Sequence, residues 1–485
     1  MIPAFIIYLL ILLLIGILTY RFTKTLDDFI LAGRKLGTWV VAISAKASDL
    51  SGWLILGVPG KGFKLGIGAM WAGIAVMLGT YFNWTALAKR LRRYTEILKA
   101  LTIPDFLEAR YRDENKHILR LISAIAIVVF MTAYLSAQFV ASGKVISATF
   151  GMDYYFAMIL GACVILFYTI MGGFFAVAWT DLLQGMLMLF AVVILPLVGL
   201  VKLGGFGSLG SAMASTDSSL VSITTGKTGW QMWSFIIGML AIGLGYPGQP
   251  HILARYMAIK EPKKLRQGTL ISMIWVIIVM YGAILIGMVG RQLLTDVSDP
   301  ERIMPLLAMK LLPGWLAGIL IAAAMAAIMS TADSQLLVAT SAIAEDFYHK
   351  LIKKEASQKT LVMISRISTL VIGLIAILLA RPGGVVFSLV LYAWGGLAAS
   401  FGPAVIMSLY WKRTTKAGIA AGMIAGMTTI IVWHNISVLS NFLYELVPGF
   451  FIGLGTIYLV SLFTKPPENV DEEFEMMKKP LPSEG

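Results

Sequence analysis

Of 485 residues, 58% are hydrophobic and only 13% charged, with a mean hydropathy of +0.83, which excludes a soluble globular enzyme and points to an all-α polytopic membrane protein. The net charge of +13 is carried by short loops between apolar runs, where basic residues set topology, so nucleic acid is not an expected partner. A single cysteine, Cys163, rules out an intrachain disulfide, and with only 4 His it argues against a metal enzyme.

Apolar runs of about 20 residues, the length that crosses a bilayer, fall at roughly 3–20, 38–60, 66–88, 118–148, 154–173, 176–202, 229–254, 268–291, 303–335, 361–380, 384–411, 416–435 and 444–464, about thirteen spans in all. The chain starts Met1-Ile2-Pro3-Ala4 with neither a basic segment nor a small-residue cleavage site, so the first run is expected to be retained. Loops alternate in charge. Arg21, Lys24, Arg34 and Lys35 follow the first span, Lys89 to Lys116 hold eight Lys and Arg after the third, and Arg255 to Arg266 hold five after the seventh. Lys350, Lys353, Lys354 and Lys359 follow the ninth span and Lys412, Arg413 and Lys416 the eleventh, while 208–222 and 296–301 are poor in bases. The positive-inside rule then predicts an N-terminus outside and a C-terminus in the cytoplasm, in the plasma (inner) membrane. Residues 465–485 are polar, acidic and Pro-containing and are expected to be a disordered cytoplasmic tail.

The second span is the most informative. From Ala45 to Gly60 it carries Lys46, Asp49, two further serines, three glycines and a proline. Every unpaired backbone group in lipid costs several kcal/mol, so an interrupted span persists only where protein or a polar cavity lines it. The expected break is Ser51-Gly52, which frees the carbonyls of Ala47 and Leu50 to face a cation. A second break is expected at Ile242-Gly243-Leu244-Gly245-Tyr246-Pro247-Gly248-Gln249-Pro250-His251, five spans later. Broken helices at corresponding positions of two halves point to inverted repeats with a site near the midplane. The repeats are expected over 38–203 and 229–412, joined by an outer loop at 204–228. The segment 1–37 and the helices in 413–464 are expected to be peripheral.

The ninth span contains Ala326-Ala327-Ile328-Met329-Ser330-Thr331-Ala332-Asp333-Ser334-Gln335, small residues with adjacent hydroxyls. Such a stretch serves either as a close-packing face or as a source of oxygen ligands. A hard cation such as sodium prefers oxygen donors, and Ser330, Thr331 and the carbonyl of Ala327 would complete a shell begun by Ala47 and Leu50.

The strings Ser48-Asp49-Leu50-Ser51-Gly52-Trp53, Leu101-Thr102-Ile103-Pro104-Asp105-Phe106, Gly172-Gly173-Phe174, Ala178-Trp179-Thr180-Asp181, Gly245-Tyr246-Pro247-Gly248-Gln249-Pro250-His251 and Met329-Ser330-Thr331-Ala332-Asp333-Ser334 resemble those of the sodium:solute symporters, in order along nearly the whole chain. They are most similar to the proline-carrying branch. The resemblance implies the leucine-transporter fold, alternating access, sodium at Ala47, Leu50, Ala327, Ser330 and Thr331, Asp49 essential nearby, and Asp181 on the inward sodium path. It implies substrate contacts at Ser51, Gly52, Trp53, Tyr134, Ile242, Tyr246, Gln249 and Pro250. Two positions depart from that pattern: Ile242 replaces a Trp of the proline branch, and Lys46 replaces a small residue. A lysine at membrane depth must pair or lose its proton. Two unit cations about 5 Å apart repel by about 3 kcal/mol at an effective dielectric near 20, so sodium and a charged Lys46 are not expected to share one cavity. Either Lys46 pairs with Asp181 or Asp49, or it occupies the cation position itself.

The expected function is sodium symport of a small amino acid, proline first, across the lipid bilayer. The alternatives are a proton-coupled or sodium-independent carrier of another small organic solute, and a membrane solute sensor.

Overall fold

In the computed structural model, the described residues are 36–260 and 264–479, with positions 3, 6–8, 10, 11 and 14 of the first apolar run; the side chains of 168 and 171–176 are outside the description. The first expected span and its basic loop therefore lie almost wholly outside the described residues. Tyr8 is an exception: it is buried, accepts a hydrogen bond from Gln184 Nε2 at 3.1 Å, and directs its hydroxyl to Met329 Sδ at 3.8 Å.

Nine helical runs among the described residues are long and apolar enough to cross a membrane. One of them, Thr38–Ile97, holds the second and third expected spans. It comprises α1 (Thr38–Gly52), a wide turn Trp53–Gly57, α2 (Val58–Leu65), a reversal at Gly66, α3 (Met70–Phe82) and α4 (Ala88–Ile97). Gly66 has φ +54 and its Cα faces the Leu220 carbonyl, where any Cβ would sit 2.0 Å from the oxygen. Helix α5 (Ile103–Arg110) starts under a Thr102 cap, whose hydroxyl accepts the Asp105 N–H, with Pro104 in its first turn. Next come α6 (Ile118–Phe150) and α7 (Tyr154–Leu203), then α8 (Gly229–Leu240), a tight helical segment Ala241–Gly248, α9 (Pro250–Met257) and α10 (Leu265–Leu293). Helices α11 (Gly314–Ser341), α12 (Gln358–Ala380), α13 (Val386–Tyr410), α14 (Lys416–Asn435), α15 (Leu446–Phe463) and α16 (Val470–Lys478) complete the chain.

The fifth and sixth expected spans correspond to the apolar stretches Tyr154–Phe167 and Val177–Leu203, which lie on one continuous helical backbone from Tyr154 to Leu203, while two other expectations about elements need correction. Each interior glycine costs only about 1 kcal/mol against Ala and does not by itself end a helix. The ninth span starts at Gly314 rather than 303, because Leu312-Pro313 ends a separate helix, Ile303–Leu311. The tail is not wholly disordered. Asp471, Glu472 and Glu473 occupy the first turn of α16, where acids favour the helix, and Val470, Phe474 and Met477 form a buried face against α4. Tyr94 donates to Glu473, Arg112 also pairs with Glu473, and Lys412 pairs with Asp471 at 2.6 Å.

The centre of the molecule is α11, 83% of whose apolar stretch lies inside the protein, against 33% for α14 and for α15. It packs on α1, α6 and α7, while the segment Ala241–Gly248 is clasped by α13 and α3.

Candidate functional site

Helix α1 runs regularly to Leu50 and breaks at Ser51, with φ 45 and ψ −170. A non-glycine residue at positive φ is held there only if its surroundings fix it. Here Gln138 Oε1 accepts the Gly52 N–H at 3.0 Å, and the Ser51 hydroxyl accepts the Trp53 N–H at 3.0 Å. Gly52 is needed for close packing, since a Cβ would lie 2.8 Å from that of Ala141. The next five residues form a wide π turn, a form that recurs at functional sites.

On one side of this break is a cluster of neutral oxygens. Ser330 Oγ, on α11, lies 2.9 Å from the Ala47 carbonyl and 3.1 Å from that of Ala327. Thr331 Oγ1 is fully enclosed and has no hydrogen-bond partner among the described residues. The Leu50 carbonyl accepts the Trp53 N–H. A buried hydroxyl without a partner, on the residue after Ser330, is the kind of oxygen a hard cation takes as a ligand. Behind the cluster, Ser44 and Ser48 donate to Asp181 Oδ2 at 2.7 and 2.8 Å, and Arg255 from α9 pairs with Asp181 at 2.8 Å. Arg255 also donates to Ser334 at 2.7 Å, and Ser334 donates to the Ser330 carbonyl at 2.8 Å. Asp181 is therefore linked to the oxygen cluster through α11, and its charge is matched by Arg255 rather than by Lys46.

On the other side lies a partly open pocket with about 250 Å³ of empty space, lined by Asp49, Leu50, Trp53, Val76, Tyr134, Ile242, Tyr246, Val390, Leu391 and Trp394. Asp49 supplies its only carboxylate. Asp49 Oδ2 accepts from the Tyr246 hydroxyl at 2.7 Å and from Lys46 Nζ at 2.6 Å. The Tyr134 hydroxyl reaches the Asp49 carbonyl at 3.5 Å. Trp53 stacks on Phe387, with centroids 5.3 Å apart. Asn83 donates to the Tyr246 carbonyl at 2.8 Å, pinning the second irregular segment to the first repeat.

The structure brings Trp53, Tyr134, Ile242 and Tyr246 together in that wall, but not all the expected substrate positions. Ser51 and Gly52 are spent on the break itself. Gln249 does not line this pocket and donates to the carbonyls of Trp394 at 3.0 Å and Gly245 at 3.3 Å. Pro250 lines a different, more apolar pocket with Leu101, Thr102, Leu337 and Asp346. Sequence reasoning missed Val76, Gln138, Val390, Leu391 and Trp394. The one available signal was Trp394 between small residues in Ala393-Trp394-Gly395-Gly396. Its indole donates to the Ile242 carbonyl at 3.0 Å and stands edge-on to Tyr246 at 5.1 Å. An indole N–H from α13 thus reaches the place where Ile242 itself offers none.

Two broken helices, an oxygen cluster on one face of the first break and a pocket on the other define a secondary transporter of the leucine-transporter fold. A sodium-coupled sialic acid symporter, solved in a substrate-bound outward-open state, superposes with a TM-score of 0.80 at 20% identity, covering 96% of this chain and 98% of that one. The chain belongs to the sodium:solute symporter family, whose profile matches residues 29–426. It is 42% identical to the sodium/proline symporter of Escherichia coli K12 over 96% of this chain and 94% of that protein. It is also 42% identical to the high-affinity proline transporter PutP of Bacillus subtilis 168, over 95% of this chain and 98% of that protein.

Proposed function

We propose that the protein imports proline by sodium symport, with sodium at Ala47, Leu50, Ala327, Ser330 and Thr331 and proline in the cavity walled by Asp49, Trp53, Tyr134, Ile242, Tyr246 and Trp394. The observation that carries this reading is that one break in α1 serves both ligands: Ala47 and Ser330 on one face, Asp49 and Trp53 on the other. The proline transport named for relatives at 42% identity over nearly the full length supports the substrate. Sodium drawing α1 and α11 together would order the break and so preform the cavity, and by linkage each ligand tightens the other by the same factor. Lys46 is engaged by Asp49, which leaves the Ser330 and Thr331 oxygens to sodium and favours sodium over a cation-independent carrier. Loop charges support an N-terminus outside and a cytoplasmic C-terminus. On that topology the Arg120 cluster, where Asp105 and Asp346 pair with Arg120 at 2.6 Å each, closes the inner side. Leu391 lines both the cavity and an open vestibule containing Lys61, His434 and Glu445, which makes it the outer wall.

The test is uptake of radiolabelled proline into proteoliposomes with and without an inward sodium gradient. Accumulation is expected only with sodium; equal uptake driven by a proton gradient would replace the reading with a proton-coupled one.

A further inference from the structure

Lys46 is 0% exposed and lies at membrane depth, so it does not snorkel to an interface. Its ammonium has three donors and no acceptor, and its neighbours on each side are identifiable. Nζ is 2.6 Å from Asp49 Oδ2, 2.8 Å from Thr80 Oγ1 and 4.6 Å from the centroid of the Tyr246 ring. Asp49 Oδ2 in turn accepts from the Tyr246 hydroxyl at 2.7 Å. These groups come from α1, α3 and the segment Ala241–Gly248, the same three elements that close the head of the substrate cavity. A carboxylate, a hydroxyl and an aromatic face around one point form a cation site, whether the cation is tethered or free. Asp181, the other acid considered for Lys46, pairs with Arg255 at 2.8 Å. No other basic group reaches Asp49 by an ion pair among the described residues.

We propose that the Lys46 ammonium is a resident, untransported cation occupying a second cation site made by Asp49, Thr80 and Tyr246, and that a free alkali cation takes this site when the ammonium is removed. The inference extends the reading of the transport core given above but stands on a different set of atoms from the Ser330–Thr331 cluster. Three consequences follow. Asp49 is neutralised in every step of the cycle without an ion being spent on it. The cavity wall next to the substrate is a net-neutral ion pair, which suits a net-neutral zwitterion better than a solute of net charge. The number of sodium ions bound is one fewer than the number of cation sites in the core.

The experiment counts radiosodium bound at saturation to the purified full-length protein without substrate. Lys46→Ala opens the site and should bind about one more ion per chain than the parent, whereas Lys46→Met fills the space with an uncharged chain and should bind no more than the parent. Asp49→Asn added to Lys46→Ala should abolish the extra ion. Thermal unfolding checks that each variant is folded, and Lys46→Ser, which keeps a polar atom at that depth, replaces Lys46→Ala if the latter does not fold. Equal counts for the parent and the small-residue variants overturn the inference, as does an extra ion that survives Asp49→Asn. A parent that binds no sodium and a Lys46→Ala variant that binds one would uphold the inference while overturning the assignment of sodium to the Ser330–Thr331 cluster.

Discussion

The two broken helices interrupt the membrane in different ways. The first breaks abruptly at one strained residue, Ser51, and is held open by side chains: Gln138 takes the Gly52 N–H and the Ser51 hydroxyl takes the Trp53 N–H. The second unwinds gradually into the tight segment Ala241–Gly248 and is held by contact at its glycines. A Cβ on Gly245 would lie 1.7 Å from Trp394 Nε1, and one on Gly243 would lie 2.5 Å from the Ala75 carbonyl. The first break therefore supplies charges and oxygens, and the second supplies shape. Damage to the first should register as lost charge balance or ion affinity, and damage to the second as altered substrate fit with ion binding intact.

The largest effect is expected at Asp49. Asp49→Ala leaves the Lys46 ammonium buried without its carboxylate, and removing one partner of a buried pair costs about 3–5 kcal/mol. Substrate binding should fall at least about a hundredfold, measured by equilibrium binding of labelled proline. Next is Gly245→Ala, which forces Trp394 aside; overpacking of this kind costs about 1–3 kcal/mol. Proline affinity should drop about tenfold while radiosodium binding is kept, and a loss of both would mean that the two breaks do not divide the work as described. Ser330→Ala with Thr331→Ala removes two ligand oxygens, at about 1 kcal/mol each by analogy with hydrogen bonds. The sodium concentration for half-maximal uptake should rise about tenfold or more with little change in expression; unaltered sodium dependence would remove these hydroxyls from the ion site. Ile242→Trp is a smaller change, expected to narrow selection toward proline in competition uptake with a panel of amino acids; an unchanged profile would mean that Ile242 does not contact substrate.

The smallest effect lies outside both breaks. Burial raises the Glu108 carboxyl, but Arg120 and His117 outweigh it and hold the group below its ordinary value of 4.5. A depressed folded-state pKa contributes stability that is present above about pH 4.5 and is lost as pH falls toward the folded value. Thermal unfolding of Glu108→Gln should therefore be lower than that of the parent near pH 7, with the gap closing below about pH 4.5. A gap that persists unchanged at acid pH would assign the effect to packing.

The tail sharpens the contrast between local and distant information. Read alone, 465–485 is a polar segment with two prolines at each end of its acidic stretch and little to bury. Phe474 gains its value from partners distant in the chain, standing edge-on to Tyr94 at 6.0 Å on α4, with Arg110 of α5 5.5 Å and Lys412 5.8 Å from its ring. A Pro-poor acidic turn followed by apolar residues at 474 and 477 was the available sign of a helix.

The sequence by itself determined the membrane class, from the 58% hydrophobic content, and the location of both breaks, because serine, glycine and proline act on the backbone within one or two residues of where they stand. It also singled out Ala47, Ala327, Ser330 and Thr331 as the oxygens proposed to hold sodium, since a cation's need for oxygen donors can be matched to hydroxyls and backbone carbonyls without knowing the packing. Only the tertiary structure decided which acid Lys46 faces. Asp49, one helical turn away, and Asp181, on a distant helix, were equally available in sequence, and the crossing of α1 with α3 and the segment Ala241–Gly248 turned the ammonium toward Asp49, Thr80 and Tyr246, leaving Asp181 to Arg255. The rest of the cavity wall was decided in the same way: Val76, Val390, Leu391 and Trp394 are ordinary apolar residues of spans far apart in the chain, and they acquire a role only where helix packing brings them against the break at Ser51.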